Sequence, residues 1–462
     1  MLFRSRRAEQ LLHDIEFLSV AALAKRGHSY PADEINALWR VLLLNQFHDI
    51  LPGSSIGQVY EDSARQFADL FAKGEKLLPT GSQLVNTTGF ERAEVVEQAG
   101  KLQFVRASSF GPAAAAPAGD AVQFTQQGDR LTLANGQLQA TFTTGGRLVS
   151  LTCAGREAIA GEANVPELYD DWPTNFDAWD VDPFHLETRQ ACAPAIRWEL
   201  VRREPLRAEL KFEFTIGQAS RLTQVVRLDA GARRLEFRCE ADWQESHKML
   251  KLAFPVQVSA MNATYEMQFG HVERPTHYNT PYDLARYEVP FHKWFDLGEH
   301  GFGVALLNDC KYGGSTFDNV MRLSLLRSPD SPDPKCDRGR HEFAFALFPH
   351  AGNWRDAGVV AEAYRFNHPL RPGNLTGSFA TVNTPNLVID TIKRAEDSAA
   401  LIVRLYECHG ARGTARLQLA SGFTKACRCN VLEDDGEQLV VTGNTVEFAY
   451  RPHELISLKL SR

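Results

Sequence analysis

The hydrophobic period of the chain changes once, near Pro79, and this change constrains the fold more than any other feature. Before it, apolar residues recur every three or four positions, as on one face of a helix. After it, apolar and polar residues alternate, as in strands with one buried and one solvated face. The alternation is strict in 206–216 and in 235–243. The sequence therefore predicts helices up to about residue 80 and strands from residue 84 onward.

Three apolar stripes with helical spacing precede the change. They lie in residues 11–22, in 35–43 and, after a Pro-Gly turn, in 56–71. Ser55, followed three residues later by Gln58, resembles a capping box that opens the third helix. Three amphipathic helices joined by short connections predict a small bundle.

The β region contains turn signals between short strands. Asn-Gly at 135–136 and Gly-Gly at 145–146 suit tight hairpins. Proline and glycine cluster in 370–390, where we expect a domain boundary. The sequence thus predicts a mainly β fold in which antiparallel β-sandwich domains, one large and one small and terminal, follow a three-helix bundle. The predicted domains are the bundle over 1–80, the large sandwich over 84–385 and the small terminal sandwich over 386–462.

Composition narrows the possible partners. The 462 residues carry a net charge of −7, which disfavours nucleic acid and anionic membranes as partners. Eight cysteines without framework spacing, and no apolar run long enough to cross a bilayer, favour a cytoplasmic protein. Cys427 and Cys429 are either a metal site or two residues on one strand face, and the second interpretation is favoured. The motifs of zinc metalloproteases, phosphate-loop enzymes and dinucleotide-binding dehydrogenases do not occur, and Ser54 and Ser55 mark a helix start rather than the nucleophile elbow of a serine hydrolase.

The first segment with possible chemistry is NQFHDILPGSS at residues 45–55. His48 offers an imidazole to a metal ion, and Asp49 offers a carboxylate to a metal or to a sugar hydroxyl. A His-Asp pair at a helix end is, however, more often part of a cap or of the polar surface. A catalytic zinc also needs about three protein ligands, so others would have to come from elsewhere.

Two further segments are rich in ionisable residues. YDDWPTNFDAWD at 169–180 combines four carboxylates with two tryptophans. Tryptophan beside aspartate is typical of sugar sites, and an acidic surface loop anchored by tryptophans is the alternative. The segment 273–313 is dense in charges for a β domain, and a network of interdomain ion pairs explains it most simply.

Three long blocks of the sequence resemble the glycoside hydrolases of family 38, the α-mannosidases. LWRVLLLNQFHDILPGSSIGQVYED is similar to the middle domain of that family. HVERPTHYNTPYDLARYEVPFHKWFDLGEHGFGVALLNDCKYGG and MRLSLLRSPDSPDPKCDRGRHEFAFALFPHAG are similar to its C-terminal β domain. The blocks follow the family's order, and the resemblance covers nearly the whole chain. It is closest to the branch that contains bacterial and cytosolic or vacuolar enzymes.

The resemblance implies a retaining, metal-dependent α-mannosidase that acts on terminal α-D-mannosides. The implied cofactor is one divalent metal, zinc in most members and cobalt in some. By the same resemblance, His48 is a metal ligand and Asp49 contacts the sugar. Asp177, Trp179 and Asp180 match a DAWD-like segment of the family, and we expect them to bind substrate.

The sequence departs from the family at its beginning. Family members start with a large α/β domain that carries the nucleophilic aspartate, a His-x-Asp pair and the acid/base residue, and nothing in this chain matches it. We therefore expect no catalytic residue in this chain, an incomplete set of metal ligands, and action on α-mannoside oligosaccharides together with the missing N-terminal domain. Arg274, His277 and His292 also match the family pattern, and structural support is their expected role.

Two other functions remain open from the sequence. A stand-alone carbohydrate-binding module would use the tryptophans of 172–179 as its binding face. A non-catalytic assembly protein on the same scaffold has no positive signal in the sequence.

Overall fold

The computed structural model describes residues 2–23, 28–420 and 422–461. Strands hold 45% of the residues and helices 17%, so the predicted mainly β fold is confirmed. Three long helices come first, and short helices interrupt the sheets later. The helices are α1 (Leu2–Ala22), α2 (Ala32–Asn45), α3 (Gly57–Leu77), α4 (Pro281–Leu284), α5 (Trp354–Ala357) and α6 (Val359–Asn367), with a 3₁₀ turn at Pro183–Thr188. In the described part of the chain, every helix is too short or too polar to cross a membrane.

The first three helices pack through the apolar stripes that the sequence shows. Ile15 of α1, Leu42 of α2 and Phe67 of α3 belong to one buried cluster. The predicted capping box at the start of α3 is wrong: Ile56 occupies the N-cap position without a side-chain cap. The hydroxyl of Ser55 donates to a main-chain carbonyl in the preceding turn instead.

The strands follow from residue 83 and pair antiparallel throughout the described ladders. The first nine are β1 (Gln83–Val85), β2 (Arg92–Gln98), β3 (Lys101–Ala107), β4 (Ala113–Ala115), β5 (Gln123–Gln127), β6 (Arg130–Ala134), β7 (Leu138–Thr143), β8 (Leu148–Cys153) and β9 (Arg156–Glu157). The next nine are β10 (Val165–Asp170), β11 (Gln190–Ala191), β12 (Arg197–Glu204), β13 (Arg207–Ile216), β14 (Ser220–Asp229), β15 (Leu235–Trp243), β16 (Lys248–Pro255), β17 (Asn262–Met267) and β18 (Gly270–Pro275).

The remaining strands complete the large β region and form the terminal one. They are β19 (Val289–Pro290), β20 (Trp294–Glu299), β21 (Phe302–Asn308), β22 (Gly313–Phe317), β23 (Val320–Arg327), β24 (Gly339–Ala351), β25 (Arg371–Gly373), β26 (Ala380–Val382), β27 (Leu387–Arg394), β28 (Leu401–Glu407), β29 (Gly413–Leu419), β30 (Lys425–Cys429), β31 (Asp435–Leu439), β32 (Val441–Thr442), β33 (Thr445–Tyr450) and β34 (Leu455–Ser461).

One apolar core holds the large β region together. A nine-stranded sheet, β12-β13-β14-β15-β24-β21-β20-β17-β18, packs against a six-stranded sheet, β11-β10-β16-β23-β22-β19, and a five-stranded sheet, β5 to β9. The alternating residues of β13 and β15 point into this core as predicted. Rings join the layers: Phe237 of the large sheet lies 6.3 Å from Phe254 of the six-stranded sheet, and Phe212 lies 5.6 Å from Phe142.

A second core fills the terminal sandwich. Its sheets are the four-stranded β26-β29-β33-β32 and the five-stranded β27-β28-β34-β30-β31. Helix α1 contributes Phe17, Leu18 and Val20 to this core, so the first helix contacts both the bundle and the last domain. Cys427 and Cys429 lie on β30 as free thiols.

Candidate functional site

The first candidate segment forms the turn between α2 and α3. Main-chain hydrogen bonds to the carbonyl of Phe47, at 2.9 and 3.0 Å, coil the chain after the end of α2. Gly53 redirects it at φ +93°, a conformation that favours glycine. Ser55 Oγ then donates to the carbonyl of Asp49 at 2.5 Å. These bonds hold His48 and Asp49 at the surface of the bundle.

The side chains of this His-Asp pair are open to solvent. His48 Nε2 lies 3.7 Å from Asp49 Oδ2, and the two side chains are 70% and 53% exposed. The ring of Phe47 packs 4.2 Å from the imidazole. A protein zinc site needs at least three ligands, and among the described residues no third one joins this pair. The pair by itself therefore does not fit a metal centre.

The second candidate segment is a loop between β10 and the 3₁₀ turn. Asp177 Oδ2 accepts hydrogen bonds from the main-chain amides of Asp330, at 2.7 Å, and Ser331, at 3.0 Å. His247 lies between the two carboxylates, 3.5 Å from Asp177 and 3.4 Å from Asp330. The ring of Trp172 stacks on His247 at 3.6 Å. The carboxylate of Asp177 thus anchors the loop.

Arg327, at the end of β23, holds the same loop through a second set of contacts. Its Nε donates to Asp171 Oδ2 at 2.6 Å, and its Nη2 donates to the carbonyls of Asp177 and Asp180 at 3.1 and 2.7 Å. Because the guanidinium binds both the main chain and a buried carboxylate, it sets the position of the whole loop.

The anchored loop presents aromatic rings to solvent. Trp172, Phe176 and Trp179 are 61%, 75% and 55% exposed. Large aromatic side chains clustered at a surface are typical of a ligand or protein contact. In the helical bundle, four apolar side chains around the His48 turn are also exposed: Leu43, Leu44, Phe47 and Ile56.

The segment 327–338 connects the two candidate sites. Its amides bind the Asp177 carboxylate, and its Cys336 Sγ contacts the carbonyl of Gly53 at 3.6 Å. Burial raises the pKa of the Cys336 thiol to about 12, so the thiol is a neutral donor. The structure therefore places the His48 turn and the Asp177 loop against one connecting segment, although they are far apart in the sequence.

Sequence reasoning missed the residues that build this arrangement. His247, Arg327 and Asp330 hold the Asp177 loop, and no short motif marks any of them. Arg327 and Asp330 do lie in the family-like block at 321–352, but that likeness does not show what they contact. The density of aspartate, proline and arginine in SPDSPDPKCDRGR is a second signal, which sequence patterns alone do not distinguish from a surface loop.

Arg274, His277 and His292 lie in supporting contacts. The guanidinium of Arg274 lies 4.8 Å from the centre of the Tyr265 ring, and His277 Nδ1 lies 3.6 Å from an Asp283 carboxylate oxygen. Burial lowers the pKa of His292 to about 4, so its imidazole is neutral near pH 7.

Three family domains match successive parts of the chain. The alpha mannosidase middle domain matches residues 4–84, the glycosyl hydrolases family 38 C-terminal domain matches 133–335, and the family 38 C-terminal beta sandwich domain matches 386–458. The chain therefore belongs to glycoside hydrolase family 38 and carries its middle and C-terminal domains.

Relatives and solved structures agree with this assignment. Alpha-mannosidase 2C1 of Homo sapiens is 41% identical over 99% of this chain and 48% of its own length. An alpha-mannosidase of Saccharomyces cerevisiae is 30% identical over 98% of this chain and 46% of its own length. The chain thus spans about half the length of the curated relatives it matches.

Among solved structures, an alpha-mannosidase from Enterococcus faecalis superimposes with a TM-score of 0.78 at 15% identity. The match covers 99% of this chain and 66% of the bacterial one. At that identity the superposition supports the fold.

Proposed function

We propose that this chain is the middle and C-terminal part of a retaining α-mannosidase. The observation that carries the proposal is the 41% identity to the human alpha-mannosidase over 99% of the chain. Because that relative is about twice as long, we propose that the catalytic carboxylates belong to a segment outside residues 1–462. The proposed substrates are terminal α-mannosides of oligosaccharides, and the proposed location is cytoplasmic.

The surface residues of the two candidate segments have distinct proposed roles. Asp49 would accept hydrogen bonds from sugar hydroxyls, and Trp179 would stack on the apolar face of the ring. Asp180 would line the same face beside Trp179. His48 would provide one ligand to a divalent metal, zinc or cobalt, whose other ligands come from outside this chain. When bound, such a metal holds and polarises substrate oxygens.

Asp177 has a more limited proposed role. Retaining hydrolysis needs two carboxylates about 5 Å apart on opposite sides of the scissile bond. Asp177 Oδ2 already accepts two main-chain hydrogen bonds, so we propose that it positions the aromatic loop and is neither nucleophile nor acid/base. Its contribution to substrate binding would then be indirect, through Trp179.

The test compares the chain alone with the chain joined to the N-terminal segment of a full-length relative. Hydrolysis of an aryl α-mannoside is measured with zinc or cobalt added. We expect no turnover by the chain alone and turnover by the joined protein. His48→Ala should abolish that turnover, whereas the exposed His300→Ala should preserve it. Turnover by the chain alone, or full activity of the His48 variant, would contradict the proposal.

A second candidate function is a carbohydrate-binding module, and the exposed aromatic loop favours it. Three exposed rings on one loop suit sugar stacking without any metal. Calorimetry with α-mannosides in the presence of a chelator tests this function. Binding that Trp179→Ala abolishes and the exposed Phe317→Ala preserves would support it, and heat-silent titrations of the folded chain would exclude it.

A further inference from the structure

Two histidines and an aspartate meet where helix α1 approaches the end of α6. His13 and Asp14 lie on α1, and His368 caps the C-terminus of α6. One ligand atom of each residue lies within 4.8 Å of those of the other two. The His13 and His368 rings meet edge to face at 5.3 Å, and His13 Nδ1 lies 3.3 Å from Asp14 Oδ1.

The interior position of this cluster is unusual for such polar groups. The side chain of Asp14 is fully buried, that of His13 is 18% exposed, and His368 as a whole residue is 9% exposed. His368 Nδ1 is buried and has no hydrogen-bond partner among the residues that the structure describes. A buried nitrogen without a partner costs about 1–3 kcal/mol, so a bound group that accepts its lone pair would remove a real penalty.

Neighbouring residues hold two of the three side chains, Asp14 and His368, in place. Arg371 Nε donates to Asp14 Oδ2 at 2.6 Å, which leaves Oδ1 facing the histidines. Tyr364 stacks on the His368 ring at 5.4 Å with the ring planes 9° apart. Partners of this kind orient the ligands of protein metal sites.

The surrounding cations are largely neutralised. Lys293 pairs with Glu266 at 2.8 Å, and Arg92 pairs with Glu94 at 2.8 Å. The charge on Arg371 is balanced by Asp14 itself. A divalent ion would therefore meet one carboxylate and two imidazole rings, and each of these neighbouring cations already has a carboxylate partner among the described residues.

We propose that His13, Asp14 and His368 bind one divalent transition-metal ion, with zinc the first choice. Two imidazole nitrogens and one carboxylate oxygen are one of the donor sets of three-ligand zinc sites, in which water is the fourth ligand. Ligand atoms around a tetrahedral zinc lie roughly 3.3 Å apart. His13 Nδ1 and Asp14 Oδ1 are already 3.3 Å apart, and the other ligand atoms must close by at most about 1.5 Å. The exposed edge of His13 provides the entry path.

Such an ion would join the helical bundle to the large β region. His13 and Asp14 belong to α1, which also packs on the terminal sandwich, whereas His368 and Arg371 lead from α6 into β25. The site shares no residue with the His48 turn. The proposal therefore stands independently of the proposed function.

Metal binding by the whole chain tests the proposal. The protein is stripped with a chelator, loaded with zinc or cobalt and freed of excess ion by gel filtration. We expect one ion per chain by mass spectrometry and a higher melting temperature than that of the stripped protein. In the cobalt form, paramagnetically shifted imidazole N–H resonances should report coordinated histidines without any mutation.

Variants decide which residues hold the ion. His13→Gln and His368→Gln should lose the ion and the rise in melting temperature, whereas His48→Ala and His300→Ala should keep both. A folded wild-type chain that retains no ion would overturn the proposal. So would an ion that is lost in His48→Ala, or cobalt-loaded protein without shifted imidazole resonances, and the last outcome decides even where a glutamine variant does not fold.

Discussion

Replacing Arg327 by alanine is expected to release the loop that presents Trp172 and Trp179. The guanidinium binds Asp171 Oδ2 at 2.6 Å and two carbonyls of the loop at 2.7 and 3.1 Å. The side chain of Asp171 is 2% exposed, so its carboxylate depends on a charged partner. Alanine removes the partner and leaves the charge inside the protein.

The structure gives the size of the effect. Removing one member of a buried ion pair costs about 3–5 kcal/mol, because the remaining charge is neither paired nor hydrated. The side chain of Arg327 is 18% exposed, so water recovers part of that cost and we take about 3 kcal/mol. This value corresponds to roughly a hundredfold increase in the opening equilibrium of the loop.

Hydrogen exchange of the native protein measures that opening. The amides of Trp179 and Asp180 both donate to the carbonyl of Phe176, at 2.7 and 2.9 Å, and exchange only when the loop opens. Their exchange should accelerate about a hundredfold in Arg327→Ala. Arg340→Ala is the matched control, since its ion pair with Glu240 is exposed and should contribute little.

A double variant separates the charge effect from a general loss of packing. Arg327→Ala leaves the Asp171 carboxylate buried without its partner, and Asp171→Asn removes that charge. The double variant should therefore recover at least about 1 kcal/mol of the hydrogen-exchange protection that Arg327→Ala loses. Amides of Arg327→Ala that stay as protected as in the wild type would refute this reasoning. So would an asparagine that does not reduce the effect of the alanine.

Three further predictions concern other parts of the fold. The pKa of His292 is about 4 in the folded protein and near 6.5 in the unfolded chain, so the unfolded chain binds more protons between these values. The free energy of unfolding should therefore fall by at most about 3 kcal/mol as pH drops from 7 to 4. Acid denaturation of His292→Gln should lack this component. Gly146→Ala should destabilise by at least about 1 kcal/mol more than Gly155→Ala in denaturant melts, because both glycines have φ +77° but only at Gly146 would a Cβ lie 2.7 Å from a core ring. Phe237→Ala should lower the free energy of unfolding by about 3–5 kcal/mol, measured by calorimetry, because the ring is fully buried. The exposed Phe317→Ala should lower it by less than about 1 kcal/mol. Equal melting temperatures of the two variants would contradict the assigned core.

The class of fold could be predicted because helices and strands each require a characteristic spacing of apolar residues within a short stretch of sequence. The alternation in β13 and β15 matches the buried faces of those strands. The second glycine of the Gly-Gly pair, Gly146, and the glycine of the Asn-Gly pair, Gly136, take a positive φ. The capping box failed because Ile56 occupies the N-cap position, which leaves Ser55 one residue before it. Its hydroxyl bonds the preceding turn, a choice that depends on how α2 and α3 meet.

The candidate site could be predicted only in part. The sequence singled out His48, Asp49 and the tryptophan-rich loop, since their residue types are unusual for their surroundings. It gave no hint that Arg327 and His247 would hold that loop, because each lies on a different strand or turn. Nor did the sequence show that Trp179 is exposed whereas Asp177 anchors the loop. That anchoring role depends on the main-chain amides of residues 330 and 331.

The sequence by itself determined the order of helices and strands and the family to which the chain belongs. Both depend on the order of residues along the chain, because hydrophobic periodicity and long blocks similar to a family are visible in the sequence without a structure. The tertiary structure alone decided which polar groups meet. His13, on the first helix, reaches His368 beyond the sixth, and Cys336 reaches Gly53, because packing of separate apolar faces sets those distances. Such contacts leave no local pattern in the sequence.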